Sequence, residues 1–189
     1  MTEQLYDQEY IRSIDTNSYR LPFPDATFDY VISCQVLEHV QDYSTVLAEL
    51  ARVTKKSGVG YHEFPSRYRL IEGHIYVPLA SIIRYPLWLR FWAQLGIRNE
   101  YQQGLTAKET AKLNREYLTT RTNYLSKSAI SRHAGAWFGE CAYVEPVYVR
   151  HTRVGRKIAS VPFAPLLRLY AYASSAFRSR VILLRSPRH

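Results

Sequence analysis

Three of the six histidines in this 189-residue chain lie beside a carboxylate: Glu38-His39, His62-Glu63, and Glu72 with His74 two residues on. Imidazole is the side chain whose ordinary pKa lies between pH 5 and 8, so each pair is a candidate for moving a proton near neutrality. His74, in the run IEGHIYVP with Tyr76, is read as a candidate general base, the alternative being an exposed loop histidine. His39 is a second candidate, the alternative being a structural role at the start of a helix. Neither HEF nor EGH completes a metal-ligand pattern, and Cys34 and Cys141 match no zinc or redox spacing, so no metal is expected.

These groups need elements to hold them. Phe28 to Ser33, FDYVIS, is a short aromatic and β-branched run after a Pro24-Asp25 turn, the pattern of a buried parallel strand. Ser33, Cys34, Gln35 and Val36 sit where that strand ends, and open α/β sheets bind ligands at the carboxyl ends of their strands. In the alternative reading, Cys34 is a small buried apolar residue. Asp42 can cap a helix whose apolar stripe is Tyr43, Val46, Leu47, Leu50 and Val53; Lys55 to Gly58 would end it, with glycine free to take positive φ. Val59 to Phe64 restarts extended structure, which gives a βαβ unit and an α/β fold with a right-handed crossover.

Three regions follow from this pattern: sheet core over 1–65, a mainly helical insertion over 66–125 with breaks at Gly96 and Gly104, and a C-terminal helix and strands over 126–189. A short strand at Tyr10 to Ile14, a helix at Ser126 to Phe138, and strands at Tyr143 to Val149 and Val181 to Leu184 are expected. Trp88 and Trp92 are four residues apart on a helix face shared with Leu95, which suits core packing or a lid better than an aromatic cage for a cation. Pro78 to Gly96 is apolar but holds Arg84, Pro86 and Arg90, so it suits a helix on other helices or at a membrane surface, not a span.

The net charge of +9 is confined to one end. Nine Lys or Arg and no Asp or Glu lie between Arg150 and His189, against balanced charge before Arg150. That tail could meet an anionic membrane or RNA through phosphates, or could be a terminal helix and strand with solvated arginines. The N-terminus lacks the basic-then-apolar order of a signal peptide, and with two unpaired-looking cysteines a cytoplasmic setting, membrane-peripheral at most, is expected.

The run LPFPDATFDYVISCQVLEHVQDYSTVLAELARVTKKS, Leu21 to Ser57, resembles the class I S-adenosylmethionine-dependent methyltransferase domain family (methyltransferase type 11-like). In that family a Leu-Pro-Phe turn precedes Phe-Asp and the fourth strand, an EHV-like segment follows, and a helix ends in Ala-Arg-Val before a Lys-Pro-Gly-Gly turn, here Lys56-Ser57-Gly58. The resemblance implies a partial Rossmann-like methyltransferase sheet, S-adenosyl-L-methionine as cofactor, and a small-molecule, sugar or lipid-linked acceptor. It implies that Asp15 lies near the adenine amine, the alternative being a turn Asp. It also implies that Ser33, Cys34, Gln35 and Val36 run along the cofactor's methionine or ribose portion. Glu38 and His39 are read as facing the cleft, the alternative being helix-entry structure, and Glu72, His74 and Tyr76, following His62 and Glu63 at the strand end, as lying near where an acceptor enters.

The family's first strand, glycine-rich loop, first helix and acidic second strand should precede Tyr10, where about ten residues stand. An incomplete product, a split domain completed by a separate N-terminal half, and a degraded remnant all fit. The competing function is a non-catalytic adaptor using the basic tail on a membrane or nucleic acid. No sequence-specific nucleic-acid partner is expected.

Overall fold

A computed structural model describes residues 12–14, 18–160 and 163–188. Asp15 lies outside them, as do Tyr10 and Ile11 of the strand expected at Tyr10 to Ile14; residues 12–14 are not in a strand.

The βαβ unit forms as its residues dictate. Strand β1 (Phe28–Cys34) leads through a 3-10 turn (Leu37–His39) into helix α1 (Tyr43–Val53) and strand β2 (Thr54–Pro65), which pairs parallel to β1. Asp42 caps α1 by accepting the Thr45 amide, as its type and position suggest. Tyr43, Leu47, Ala51 and Val53 are buried along one stripe.

The helix stop differs from expectation. β2 begins directly at Thr54, and the pairing slips between Phe28 and Tyr30, so that Thr54 and Val59 answer strand positions two apart. Residues 55–58 are absorbed in that irregularity. Gly58 does not have positive φ. A Cβ there would stand 2.9 Å from the carbonyl oxygens of Phe28 and Lys55, so glycine is required by close backbone approach and not by a left-handed turn.

After a long loop come α2 (Pro86–Gln94), a 3-10 turn (Glu100–Gln102) and α3 (Ala107–Thr120), with Gly96 and Gly104 both at positive φ between them, as the breaks require. This insertion has its own core of Ile75, Val77, Ala80, Leu89, Ala111 and Leu118. Trp88 and Trp92, edge to face with each other, pack against it, whereas Leu95 is exposed, so the shared face does not extend to Leu95.

Helix α4 (Lys127–Trp137) runs straight into β3 (Phe138–Tyr143). The strand expected over Tyr143 to Val149 is instead helix α5 (Glu145–His151). Pro146 explains the change: without an N–H it suits the first turn of a helix and cannot donate to a ladder. Helices α6 (Arg153–Ala159) and α7 (Ala164–Phe177) follow, then β4 (Ser179–Pro187).

The sheet order is β1-β2-β4-β3, with β4 antiparallel to both neighbours. Leu37, Leu47, Phe64, Ile130, Phe138 and Leu184 are among the buried side chains between the sheet and helices α1 and α4. Among the described residues, no helix is long and apolar enough to cross a membrane.

Candidate functional site

The parallel strands β1 and β2 end side by side, and the candidate residues diverge from there. Ser33 points to one face, where its Oγ lies 2.8 Å from His62 Nδ1. His62 is completely buried, and burial holds its imidazole down at about 4, so it is a neutral core residue and not a group at the acceptor's entrance. Gly60 leaves room for it: a Cβ there would meet His62 Nε2 at 2.8 Å.

Cys34 and Gln35 face the other way and share one carboxylate. Cys34 Sγ and Gln35 Nε2 donate to Glu63 Oε2 at 3.0 and 2.7 Å, and the Gln35 amide donates to the Glu63 carbonyl. Cys34 is exposed, contrary to the buried alternative. The hydrogen bond to Glu63, reinforced by desolvation and that residue's charge, pushes the thiol up to about 11, so it stays protonated and unreactive at neutral pH. Gln35 sits at φ 55, a strained left-handed position held by the bonds to Glu63.

A cleft of about 680 Å³ opens beside the end of β1. Ser33, Val36, Leu37 and His39 form one wall; Tyr19 and Leu21 form another; Tyr117 and Arg121, from the end of α3, close it. A second cavity of about 520 Å³ holds His74, Tyr76, Asn99, Tyr101, Tyr117 and Arg121. Tyr117, Thr120 and Arg121 border both, so the two spaces adjoin across the end of α3.

His39 and His74 stand at that junction, their rings edge to face with centroids 4.9 Å apart. His39 Nδ1 lies 2.8 Å from the Arg121 carbonyl oxygen, which can only accept, so Nδ1 carries the proton and Nε2 is left 3.9 Å from Glu38 Oε1. Glu38 is buried, neither carboxylate oxygen has a hydrogen-bond partner, and desolvation raises its pKa.

Glu72 is the opposite case. It is fully buried, but it accepts the amides of His74 and Ile75 at 2.8 Å each, the Tyr124 hydroxyl at 2.6 Å and His74 Nδ1 at 2.7 Å. Burial alone would raise this carboxyl; the hydrogen bonds outweigh it and bring it down to about 2. Glu72 is therefore ionised, and its bond to Nδ1 raises the His74 pKa. A carboxylate that fixes Nδ1–H leaves the Nε2 lone pair as the proton acceptor, the arrangement of an oriented general base.

Sequence reasoning brought His39 and His74 into view but missed Tyr117, Arg121 and Tyr124. Their spacing carries no chemical signature; only the i, i+4 step from Tyr117 to Arg121 on a helix shows that they share a face. Glu72 was visible as a neighbour of His74, but its role depends on burial. Among the described residues no group of three or more His, Cys, Asp or Glu is placed to hold a metal.

The Leu-Pro-Phe turn and the Ala-Arg-Val helix end, far apart in sequence, prove to be one contact. Arg52 donates to Glu49, to Asp25 and to the carbonyls of Phe23 and Leu21, while Glu49 accepts the Leu21 amide at 2.7 Å. That clamp holds the turn against α1 at the floor of the cleft.

Residues 1–61 match the methyltransferase domain family. Over 49 residues the chain is 49% identical to a demethylmenaquinone methyltransferase of Geobacillus stearothermophilus, a match that covers 26% of this chain and 21% of that protein. Over 40 residues it is 60% identical to an uncharacterized methyltransferase of Schizosaccharomyces pombe, covering 21% of this chain and 14% of the relative. A solved geranyl diphosphate C-methyltransferase from Streptomyces coelicolor A3(2) superposes on 98% of this chain and 55% of its own, at 12% identity and a TM-score of 0.43. The chain thus spans about a fifth of the length of the curated relatives it matches first. The similarity to the methyltransferase domain family rests on residues 1–61 of the chain.

Proposed function

We propose that this chain supplies the acceptor side of an S-adenosylmethionine-dependent methyltransferase, with His74 as the general base. The observation that carries the reading is the Glu72–His74 couple at the junction of the two cavities, its Nδ1 fixed by a buried ionised carboxylate. The bound cofactor would contribute an electrophilic methyl group.

Ser33, Val36, Leu37 and Tyr19 fit one side of such a ligand, an apolar wall with hydroxyls. The fit is to half of a cofactor site. The carboxylate lining this cleft, Glu49, is already engaged by Arg52 and the Leu21 amide. A glycine-rich half, supplied by another segment or polypeptide, would provide the backbone donors and the acidic ribose ligand. The second cavity, with Tyr76, Asn99, Tyr101 and Arg121, suits a small or lipid-linked acceptor with a polar head.

The chain's own residues then do two things. His74 Nε2 would accept the proton from the acceptor's oxygen or nitrogen, and the Tyr117 and Arg121 side chains would hold the acceptor in place.

The test joins the glycine-loop half of the Geobacillus relative ahead of Met1 and measures binding of labelled cofactor and formation of S-adenosylhomocysteine with an extract of small metabolites. Cofactor binding by the extended chain, with product formation reduced at least about 100-fold in His74→Asn and affinity unchanged, is the expected result. Absence of binding at millimolar cofactor would overturn the reading.

A further inference from the structure

Helix α7 is built inside out for a helix in water. Its fully buried residues are small, Ala171, Ser174 and Ser175; Leu167 and Tyr170 are half-buried, and Leu166, Leu169 and Tyr172 face outward. Leu169 is 64% exposed and Tyr172 73%; Leu166 continues the same face one turn earlier, and Phe163, 59% exposed, stands at the helix start. Three-residue steps put Leu166, Leu169 and Tyr172 on one broad face, while Phe163 precedes the first helical turn.

Exposed cations lie on α7 and on the two helices before it, which are in contact with it. Arg150, Arg153, Arg156, Lys157 and Arg168 are all exposed, and none has an ion-pair partner among the described residues. No Asp or Glu occurs from Arg150 to the end of the chain. The nearest preceding acids are engaged elsewhere, Glu145 by Lys127 and Arg180, and Glu140 by Arg185. Val154, also exposed, adds an apolar side chain among the α6 cations.

From this we infer that α6 and α7 form a plate that seats on an anionic lipid bilayer, Leu166, Leu169 and Tyr172 entering the headgroup boundary while the five cations meet lipid phosphates. Exposed apolar side chains together with unpaired cations, on a helix too short to span, are the composition of an interfacial helix. A nucleic acid would satisfy the cations but leave the aliphatic stripe in water, since it offers stacking faces and not acyl chains. The inference is independent of methyl transfer: it concerns a face formed by α6 and α7, not the cleft.

The test uses the 189-residue chain in flotation with phosphatidylcholine vesicles and with vesicles in which a third of the lipid is phosphatidylglycerol. The expected result is binding at least about tenfold stronger to the anionic vesicles, falling as salt is raised. The pair Leu169→Glu and Tyr172→Glu should abolish it with the circular dichroism spectrum unchanged, because both side chains are exposed. The triple change Arg153→Gln, Arg156→Gln and Lys157→Gln should weaken it about tenfold or more. Equal binding to both vesicle types, no binding, or binding unaffected by the Leu169 and Tyr172 changes would overturn the inference. So would a dimer that those changes dissociate, since a second copy would then cover the face, or single-stranded RNA that binds regardless of them and displaces the vesicles.

Discussion

Glu72 holds its charge in a site from which solvent is excluded, because two amides, a phenol and an imidazole share its two oxygens. His74 inherits two properties from it: a fixed tautomer and a raised pKa. Activity of the completed domain should therefore rise with pH through an inflection above 6.5, and Glu72→Gln should move that inflection downward while lowering turnover; a pH–rate profile checks both. His62 has the opposite sign. It is neutral in the fold, with its pKa held at about 4, while the unfolded chain takes up the proton below 6.5. Stability should thus fall as pH drops from 7 through the unfolded value, by about 2 kcal/mol at pH 5, and the loss continues until the folded value is reached. Denaturant midpoints at the two pH values measure it, and the His62→Asn variant should lack this component. In sequence the three acid–histidine pairs look alike. What separates two of them is which side of a strand or loop each faces: His62 is buried on β2, while His74 lines a cavity from a loop whose fold depends on Tyr124, fifty residues later.

At the scale of elements, local chemistry was legible wherever one residue type has one use. Asp42 marked a helix start, Ser126 another, and the FDYVIS run a strand, and each holds in the structure. Tyr143 to Val149 was misread because alternating valines outweighed Pro146, and β3 lay hidden because Phe138–Tyr143 contains Gly139 and Glu140, poor strand formers placed by pairing with β4. The Arg52 clamp was legible only as a recurring pair of words; its physical content is five donated bonds joining a turn to a helix end. Arg52→Ala should release that turn and lower unfolding free energy by about 1–3 kcal/mol, measured in urea. The amides of Leu21, Ala26 and Thr27, which bond to Glu49, Arg52 and Val53, should then exchange hydrogen faster. Arg52→Lys should recover little of the loss, since an ammonium cannot reach carboxylate and carbonyls together as the planar fork does.

The molecule as a whole is organised about a sheet whose interior strand β4 is buried and whose edge strand β1 is largely exposed. β4 lies between β2 and β3, and its Val181, Ile182 and Leu184 are buried, whereas β1 has β2 as its only partner among the described residues. On β1, Tyr30 is 74% exposed and Ile32 71%, both on the face that carries Cys34. An aromatic and β-branched parallel strand normally has both faces covered and both edges paired. This composition accords with the proposal that a further strand and helix, of the glycine-loop half, complete the sheet beside β1. The two exposed residues allow a test that separates folding from completion. In the 189-residue chain, Ile32→Asp should change stability by no more than about 0.5 kcal/mol, as for surface positions in general, because little contact is lost. In the chain extended by the relative's first half, the same change would place a carboxylate in a buried seam, where an unpaired charge is poorly tolerated. Cofactor affinity, read by calorimetry, should then drop by at least about tenfold, since half of the site would no longer be held against the other. An extended chain whose affinity ignores Ile32→Asp would show that the added half docks elsewhere and that the open edge of β1 is not the seam of the domain.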